Sequence, residues 1–272
     1  MTSDDHQGSR SARSAIPLAA GAAEAALPRT VVGTAGWTIP TKDAALFPGA
    51  GTHLQRYGAI LPGAEINSSF HRPHRRGVYE RWAASVPAGF RFAVKMPKTI
   101  THERRLVDVS ELLDRFLAEV AGLGTRRGPF LVQLPPSFAF DANAFVAFVA
   151  MVRERVPADL VCEPRHASWF TAEADVVLVR EQVARVAADP APVPGADRPG
   201  GWRGLAYYRL HGSPRRYYSS YSDEDLHGYA AALRLHVEGA SKAWCIFDNT
   251  AGGAAASNAE TLRQLLGREP AR

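Results

Sequence analysis

In the stretch LVCEPRH, residues 160–166, an apolar run is followed by a glutamate, a proline, an arginine and a histidine. The same arrangement recurs along the chain, where eight strand-like runs each end in a short polar cluster. The clusters are Thr34-Ala35-Gly36-Trp37, Glu65-Ile66-Asn67-Ser68-Ser69, Lys95, Gln133, Glu163-Pro164-Arg165-His166, Asp189, Arg209-Leu210-His211-Gly212 and Asp248-Asn249-Thr250. Enough chain follows each cluster to form a helix. The pattern predicts an α/β fold, a single (β/α)8 TIM-like barrel with parallel strands, whose functional face lies at the carboxyl ends of the strands.

The length of the chain also favours one barrel domain. A (β/α)8 barrel commonly needs about 250 residues, and the predicted domain spans residues 29–268 of the 272. Residues 1–28 are rich in Ser, Ala, Gly and charged residues and contain no strand-like run, which predicts a disordered leader. Ser222 precedes three acidic residues and is predicted to cap the penultimate helix. The sixth strand is predicted over residues 185–189.

Composition and charge narrow the classes of partner. Hydrophobic residues make up 46% of the chain and charged residues 22%, which is typical of a globular protein. No apolar stretch reaches about 18 residues, so no membrane partner is expected. The net charge is +5, and the basic residues are scattered rather than gathered in one run. The expected partner is a small anionic molecule, with nucleic acid as an alternative, and the pattern sets no oligomeric state.

The two cysteines indicate the cellular compartment in which the protein is expected. Cys162 and Cys245 lie in predicted strands, and no secretory signal is recognisable, so both thiols are expected to be buried and reduced in the cytoplasm. Neither belongs to a CxxC pair or to a Cys/His spacing typical of zinc. The sequence therefore predicts no cofactor, with a divalent metal ion held by other side chains as an alternative.

Three residues are the candidate catalytic side chains. Glu65 and Glu163 end the second and fifth strands, and His211 ends the seventh. Carboxylates and an imidazole at such positions are suited to general acid and base catalysis. The alternative for the carboxylates is a structural ion pair, in which Glu163 would contact Arg165 or Arg209.

Ten further side chains are candidates for substrate binding. A cationic arc could hold a phosphate or carboxylate group, amides could orient hydroxyls or carbonyls, and aromatic faces could stack on a ring. The cations are Lys95, Arg165 and Arg209, the amides are Asn67, Gln133 and Asn249, the aromatics are Trp37 and Trp169, and the remaining two are His166 and Asp248. The alternatives are salt bridges to nearby carboxylates for the cations and core packing for the tryptophans.

An ordered set of short segments carries a resemblance to a known family. The segments are Gly33-Thr34-Ala35-Gly36-Trp37, Glu65-Ile66-Asn67-Ser68-Ser69-Phe70, Phe92-Ala93-Val94-Lys95, Ile100-Thr101-His102, Gln133-Leu134-Pro135-Pro136-Ser137-Phe138, Glu163-Pro164-Arg165-His166-Ala167-Ser168-Trp169, Tyr208-Arg209-Leu210-His211-Gly212 and Phe247-Asp248-Asn249-Thr250. In this order they resemble the YecE-like family of bacterial barrel proteins. The resemblance implies a TIM-like barrel. It implies no reaction, because that family is a domain of unknown function.

Three functions agree with these observations. The favoured one is an enzyme that performs acid/base chemistry on a small polar anion of the sugar-phosphate type, with hydrolysis, isomerisation and lyase chemistry all open. The first alternative is a metal-dependent phosphoesterase or nuclease, with Glu65, Glu163, His211 and Asp248 as the metal ligands. The second alternative is a non-catalytic module that binds a nucleotide or nucleic acid through aromatic side chains and arginines.

Overall fold

Parallel strands alternate with helices through most of the chain. The computed structural model describes residues 29–239 and 241–267, so the predicted leader over residues 1–28 lies outside the described residues. The strands are β1 (Thr30–Thr34), β2 (Gly63–Ile66), β3 (Arg91–Lys95), β4 (Arg127–Gln133), β5 (Leu160–Glu163), β6 (Val183–Arg185), β7 (Ala187–Asp189), β8 (Gly200–Gly201), β9 (Leu205–Leu210) and β10 (Lys242–Phe247). The predicted parallel α/β fold is thereby confirmed.

Helices fill the connections between the strands. The α-helices are α1 (His53–Ile60), α2 (Ser68–His71), α3 (Arg76–Ala84), α4 (Ser110–Val120), α5 (Ala142–Arg153), α6 (Ala172–Arg180), α7 (Asp223–Glu238) and α8 (Ala255–Gly267). Short 3-10 helices cover Thr41–Leu46, Ala121–Arg126 and Ala167–Phe170, and one π-helical turn covers Thr99–Glu103. Ser222 caps α7 as predicted, because its hydroxyl accepts a hydrogen bond from the amide of Asp225. Within residues 29–239 and 241–267, no helix is long and apolar enough to cross a bilayer.

The strands form two sheets. One sheet has the order β1-β10-β9-β7, and the other has the order β2-β3-β4-β5-β6-β8. Every neighbouring pair is parallel except β6 and β8, which are antiparallel. A single parallel bridge between Ala35 and Glu65 joins the end of β1 to β2.

The predicted sixth strand over residues 185–189 is divided between the two sheets. β6 pairs with β5, whereas β7 pairs with β9, and only Val186 separates them. The amide of Val186 still donates to the carbonyl of Cys162 at 2.9 Å, so the chain leaves the β5 edge at this residue. The prediction of one continuous strand was therefore wrong, because the two halves hydrogen bond to different neighbours.

The strands are buried on both faces. One face packs against the helices, and the opposite face forms a second apolar cluster of Val31, Ala93, Leu131, Val161, Ala184, Val186, Leu205, Tyr207, Trp244 and Ile246. Side chains alternate between the two faces of a strand, so residues two positions apart share a face. Lys95, Gln133, Glu163, Arg209 and Asp248 each lie two positions after a member of this second cluster. The strand period thus places these polar residues over the inner apolar cluster.

Candidate functional site

A buried guanidinium stands at the centre of the polar residues. Arg209, in β9, donates to Glu65 from Nε (3.1 Å) and Nη2 (2.7 Å). It also donates to Glu163 from Nη1 (2.6 Å) and to Asp248 from Nη2 (3.0 Å). Although burial opposes the charged form, the carboxylates of Glu163 and Glu65 raise the pKa of Arg209 well above its usual range. Arg209 is therefore a permanent cation that joins the ends of β2, β5 and β10. We call Arg209, Glu65, Glu163 and Asp248 the charge cluster.

Further side chains complete the hydrogen bonding of the two glutamates. Tyr207 donates from its hydroxyl to Glu65 at 2.8 Å. Gln133 donates to Glu163 at 2.9 Å, and Arg165 donates to its other oxygen at 3.2 Å. Burial alone would raise the pKa of Glu163, but the guanidinium of Arg209 holds it well below its usual range. Glu163 is therefore a carboxylate at neutral pH and a weak base.

His211 lies between two carboxylates. Its Nδ1 is 3.1 Å from Oδ2 of Asp248, and its Nε2 is 3.5 Å from Oε1 of Glu163. The distance at Nε2 exceeds a normal hydrogen bond, and this buried atom has no hydrogen-bond partner among the described residues. The ring of Tyr217 contacts His211 edge-on at 5.7 Å. Asp248 orients the imidazole, and Nε2 is the ring nitrogen that has no hydrogen-bond partner in the described residues.

Lys95 adds a second cation whose amine is not fixed by a hydrogen bond. Within the described part of the chain its ammonium has no hydrogen-bond acceptor, and it lies 4.0 Å from the ring centre of Phe70. Lys95 is only 8% exposed. Burial lowers its pKa to about 8, and Arg209 acts in the same direction, while Glu163 and Glu65 oppose the shift. A cation without a hydrogen-bond acceptor can receive an incoming anion.

The structure brings eight of the predicted site residues into one network and leaves the others in separate positions. The eight are Glu65, Lys95, Gln133, Glu163, Arg165, Arg209, His211 and Asp248. Arg209 is fully buried and donates only to carboxylates. The predicted contact of Arg209 with a substrate anion does not fit this geometry, and the alternative of a structural ion pair with Glu163 does.

The two predicted stacking faces occupy different environments. Trp169 is fully buried and donates from its indole N–H to the carbonyl of Phe138 at 2.9 Å, so it packs in the core and offers no face to a substrate. Trp37 is half-buried and contacts Trp82 and Phe92 edge-on, with centroids 5.0 and 5.8 Å away. Core packing, the alternative considered for both tryptophans, accounts for Trp169.

The remaining candidates, His166, Asn249 and Asn67, lie outside the network. His166 accepts from the amide of Ser168 at 3.2 Å and thereby caps the short helix over residues 167–170. Asn249 donates to Ser219 and Asn258, at 2.9 Å each, while its buried Oδ1 has no partner in the described residues. Asn67 also holds a buried Oδ1 without such a partner. The two amides are thus acceptors still available to a ligand or a water molecule.

Three further residues contact the network or its neighbours. Tyr207 was not selected from the sequence, but it shares the face of Arg209 two positions away, so the strand period could have identified it. His102, a weak candidate from the sequence, contacts Phe70 edge-on at 4.9 Å, and burial together with the charge of Lys95 lowers its pKa to about 4. Tyr217, an aromatic residue of the nucleotide-binding alternative, contacts the ring of His211 from a loop in which its own φ is 70°.

The carboxylates are arranged for a guanidinium rather than for a metal ion. Three of the four ligands considered for the metal alternative, Glu65, Glu163 and Asp248, point their oxygens at Arg209. Over the described residues, no group of three or more His, Cys, Asp or Glu side chains has a geometry suited to a metal ion. A metal ion at this place would have to compete with the fixed positive charge of Arg209.

Fold and cluster together define an α/β protein with parallel sheets that carries ionisable side chains at the carboxyl ends of its strands. The chain belongs to the family described as "Protein of unknown function DUF72", whose model matches residues 31–272. This confirms the family that the sequence segments indicated, since a curated relative is the UPF0759 protein YecE of Escherichia coli K12. The two are 31% identical over 87 residues, which are 32% of each chain, so the match spans about a third of the relative's length.

Solved structures of the family share the fold. A DUF72 family protein of Enterococcus faecalis V583 superposes with a TM-score of 0.73 at 21% identity, covering 89% of this chain and 97% of that one. A DUF72 family protein of Thermotoga maritima MSB8 superposes with a TM-score of 0.71 at 25% identity, covering 88% and 99%. Each relative supports the architecture and names no substrate.

Proposed function

We propose that this protein is an enzyme that transfers protons on a small polar anion, of the sugar-phosphate type, where the carboxyl ends of its parallel strands meet. One observation carries the proposal. His211 is held between Asp248 and Glu163 with an unpartnered Nε2, and the ammonium of Lys95, which has no hydrogen-bond acceptor in the described residues, interacts electrostatically with the same two carboxylates. An imidazole oriented by carboxylates that also attract an available cation is suited to acid/base chemistry on an anion.

The proposal includes closure of the two sheets into a (β/α)8 barrel. Near the first seam, the amide of Gly36 donates to the carbonyl of Glu65 at 2.8 Å. At the second seam, Val186 connects β6 to β7 along the chain, and its amide still donates to the carbonyl of Cys162 in β5 at 2.9 Å. The bond between Gly36 and Glu65 and the connection through Val186 support closure at the two places where the sheets adjoin. Ligands of such barrels bind at the carboxyl ends of the strands, where the charge cluster lies.

The side chains divide into a fixed framework and a contact set. Arg209, Tyr207 and Gln133 hold the carboxylates in place. Lys95 and Arg165 attract the anionic group of the substrate, since Arg165 keeps 20% of its side chain exposed and engages Glu163 at a longer distance than Arg209 does. Charge-assisted contacts of this kind give both affinity and orientation.

Proton transfer falls to His211. A proton on Nδ1 donates to Asp248, which leaves the lone pair of Nε2 to accept a proton from the substrate and return it to another atom of the same molecule. Glu163, 3.5 Å from Nε2, stabilises the ring while it carries both protons. Lys95, with its pKa lowered to about 8, can also exchange a proton in this pH range. The two buried free thiols, Cys162 and Cys245, support a cytoplasmic location.

Exchange of carbon-bound hydrogen with solvent tests the proposal. The protein would be incubated in D2O with ribose 5-phosphate, glucose 6-phosphate and glycerol 3-phosphate, and loss of C–H signals would be followed by proton NMR. The proposal predicts exchange, or chemical conversion, of at least one sugar phosphate by the wild type and none by His211→Asn. Thr171→Ala, in a helix cap away from the cluster, is the matched control and should retain the activity. Absence of exchange and of conversion for all three compounds would contradict the proposal.

A further inference from the structure

A cavity lies at the amino-terminal ends of the strands, opposite the charge cluster. It has a volume of about 660 Å³ and is bounded by residues of both sheets. Its lining includes four cationic side chains and one carboxylate, namely Arg29, Arg91, Arg127, Lys242 and Asp159, together with the indole of Trp244. Arg91, Arg127 and Lys242 are the first residues of β3, β4 and β10. The cavity is large enough for a small metabolite, and its lining is strongly cationic.

Among the cations of this cavity lining, Arg127 has the least complete set of hydrogen bonds from the protein. Its Nη2 donates to the carbonyl of Pro157 at 2.8 Å, but its Nη1 is buried and has no hydrogen-bond partner among the described residues. Burial lowers the pKa of Arg127, and the nearby Asp159 only opposes that shift. Asp159 is already bonded to Lys242 at 2.9 Å. A buried guanidinium with an unpartnered N–H gains more free energy from binding an oxyanion than a solvated guanidinium does.

We propose that this cavity binds a small polyanion, a compound that carries phosphate or several carboxylate groups. Even without Arg91, the lining has three cations, Arg29, Arg127 and Lys242, against the single carboxylate of Asp159, so an anion with more than one negative charge fits it. A guanidinium group can donate to two oxygens of either a carboxylate or a phosphate. The site is independent of the proposed proton-transfer function, because none of its lining residues belongs to the charge cluster. Trp244 stacks on Tyr207 with centroids 5.9 Å apart, and Tyr207 donates to Glu65, so a contiguous set of contacts joins the two sites.

Calorimetric titration tests this site with two probes. Inorganic pyrophosphate and citrate would be titrated into the full chain at a constant ionic strength near 0.15 M, and the tighter probe would identify the preferred oxyanion. The inference predicts one bound anion per chain. Arg127→Gln and Lys242→Gln should each weaken binding about tenfold, since each removes a charge-assisted contact. Arg198→Gln, which removes an 86% exposed guanidinium outside the cavity lining, should leave the affinity unchanged.

Two controls locate the bound anion. Lys95→Met should leave the affinity for the probe unchanged, whereas loss of binding in that variant would place the anion at the charge cluster and overturn the inference. Trp244→Phe should remove any change in tryptophan fluorescence that the probe produces in the wild type. Absence of binding by the wild type, or equal weakening by Arg198→Gln, would also overturn it. If Arg127→Gln fails to fold, the affinity of Lys242→Gln decides the test, because the Lys242 side chain is 57% exposed and its replacement should not prevent folding.

Discussion

Arg209 donates hydrogen bonds to three carboxylates that arise from different strand ends. Burying one cation with Glu65, Glu163 and Asp248 is favourable only while all partners are present, because each buried charge would otherwise lose its solvation without replacement. The sequence identified these residues as belonging to one site, since each ends a strand. It could not assign their roles, because the same residue types serve both ion pairing and substrate binding, and only the fold decides which groups face each other.

The first prediction concerns the stability of this ion network. Arg209→Met should lower the free energy of unfolding by about 3–5 kcal/mol, because it leaves three carboxylates without their shared cation. Arg165→Met should lower it by less than about 1 kcal/mol, since Glu163 keeps its bond to Arg209. Urea denaturation at pH 7 measures both. Equal losses in the two variants would contradict a central role for Arg209.

Trp37 and Trp169 lie in different environments that the sequence did not distinguish. Both tryptophans follow a strand end, and both were predicted to stack on a substrate ring. Trp169 lies in a short 3-10 helix that turns the ring into the core, where Phe138, Phe140 and Phe145 surround it. The direction of a side chain after a strand depends on the loop conformation, and the strand pattern does not determine that conformation.

At the scale of the element, the sequence predicted most strands and helices because each carries its own periodic pattern and cap. Ser222 before α7 is one example, since its capping bond is local. The division between β6 and β7 was not predictable, because Val183 and Ala187 begin two apolar segments of the same character. Which neighbour each segment pairs with is decided by contacts distant in sequence.

The backbones of β1 and β2 lie close together at Gly33 and Gly63. A methyl group added to Gly33 would lie 2.1 Å from the carbonyl oxygen of Gly63, so Gly33→Ala forces the two backbones apart. We expect a loss of about 2 kcal/mol or more in stability, by overpacking. Gly89→Ala is the matched control, because a methyl group there meets no atom within 4 Å. Thermal denaturation of both variants measures the difference, and equal melting temperatures would contradict a close seam between β1 and β2.

For the molecule as a whole, the buried carboxylates should govern acid stability. The folded protein holds the pKa values of Glu163 and Asp248 below their usual ranges, although burial opposes the shift in both. Protons therefore bind more tightly to the unfolded chain, and the stability contributed by these groups is present above about pH 4 and is lost as the pH falls through their folded pKa values.

Denaturation between pH 7 and pH 3 measures this dependence. Glu163→Gln should flatten the fall in unfolding free energy below about pH 4, because one of the shifted groups no longer titrates. Glu154→Gln, which replaces a carboxylate with 75% of its side chain exposed, should keep the slope of the wild type. An unchanged slope in Glu163→Gln would show that other carboxylates control acid unfolding.

The global architecture was predictable as an alternation of parallel strands and helices, because the polar strand ends repeat along the chain. The proposed closure of the two sheets into a barrel depends on the backbone contacts at the two seams, near Ala35 and Val186, which join segments that are distant in sequence. Apolar runs of similar composition form either open or closed parallel sheets, so no residue pattern distinguishes the two.

The most direct measurement is the comparison of the wild type with Lys95→Met in both stability and sugar-phosphate conversion. The folded protein lowers the pKa of Lys95 from 10.5 to about 8, so below pH 8 the buried charge destabilises the fold, and that penalty disappears as the pH rises toward 10.5. We expect Lys95→Met to be more stable by about 1–3 kcal/mol at pH 7, with a gain that shrinks toward pH 10, and we expect the variant to convert no sugar phosphate. A less stable variant with unchanged activity would show that Lys95 belongs to a structural ion network and would contradict a functional site at the strand ends.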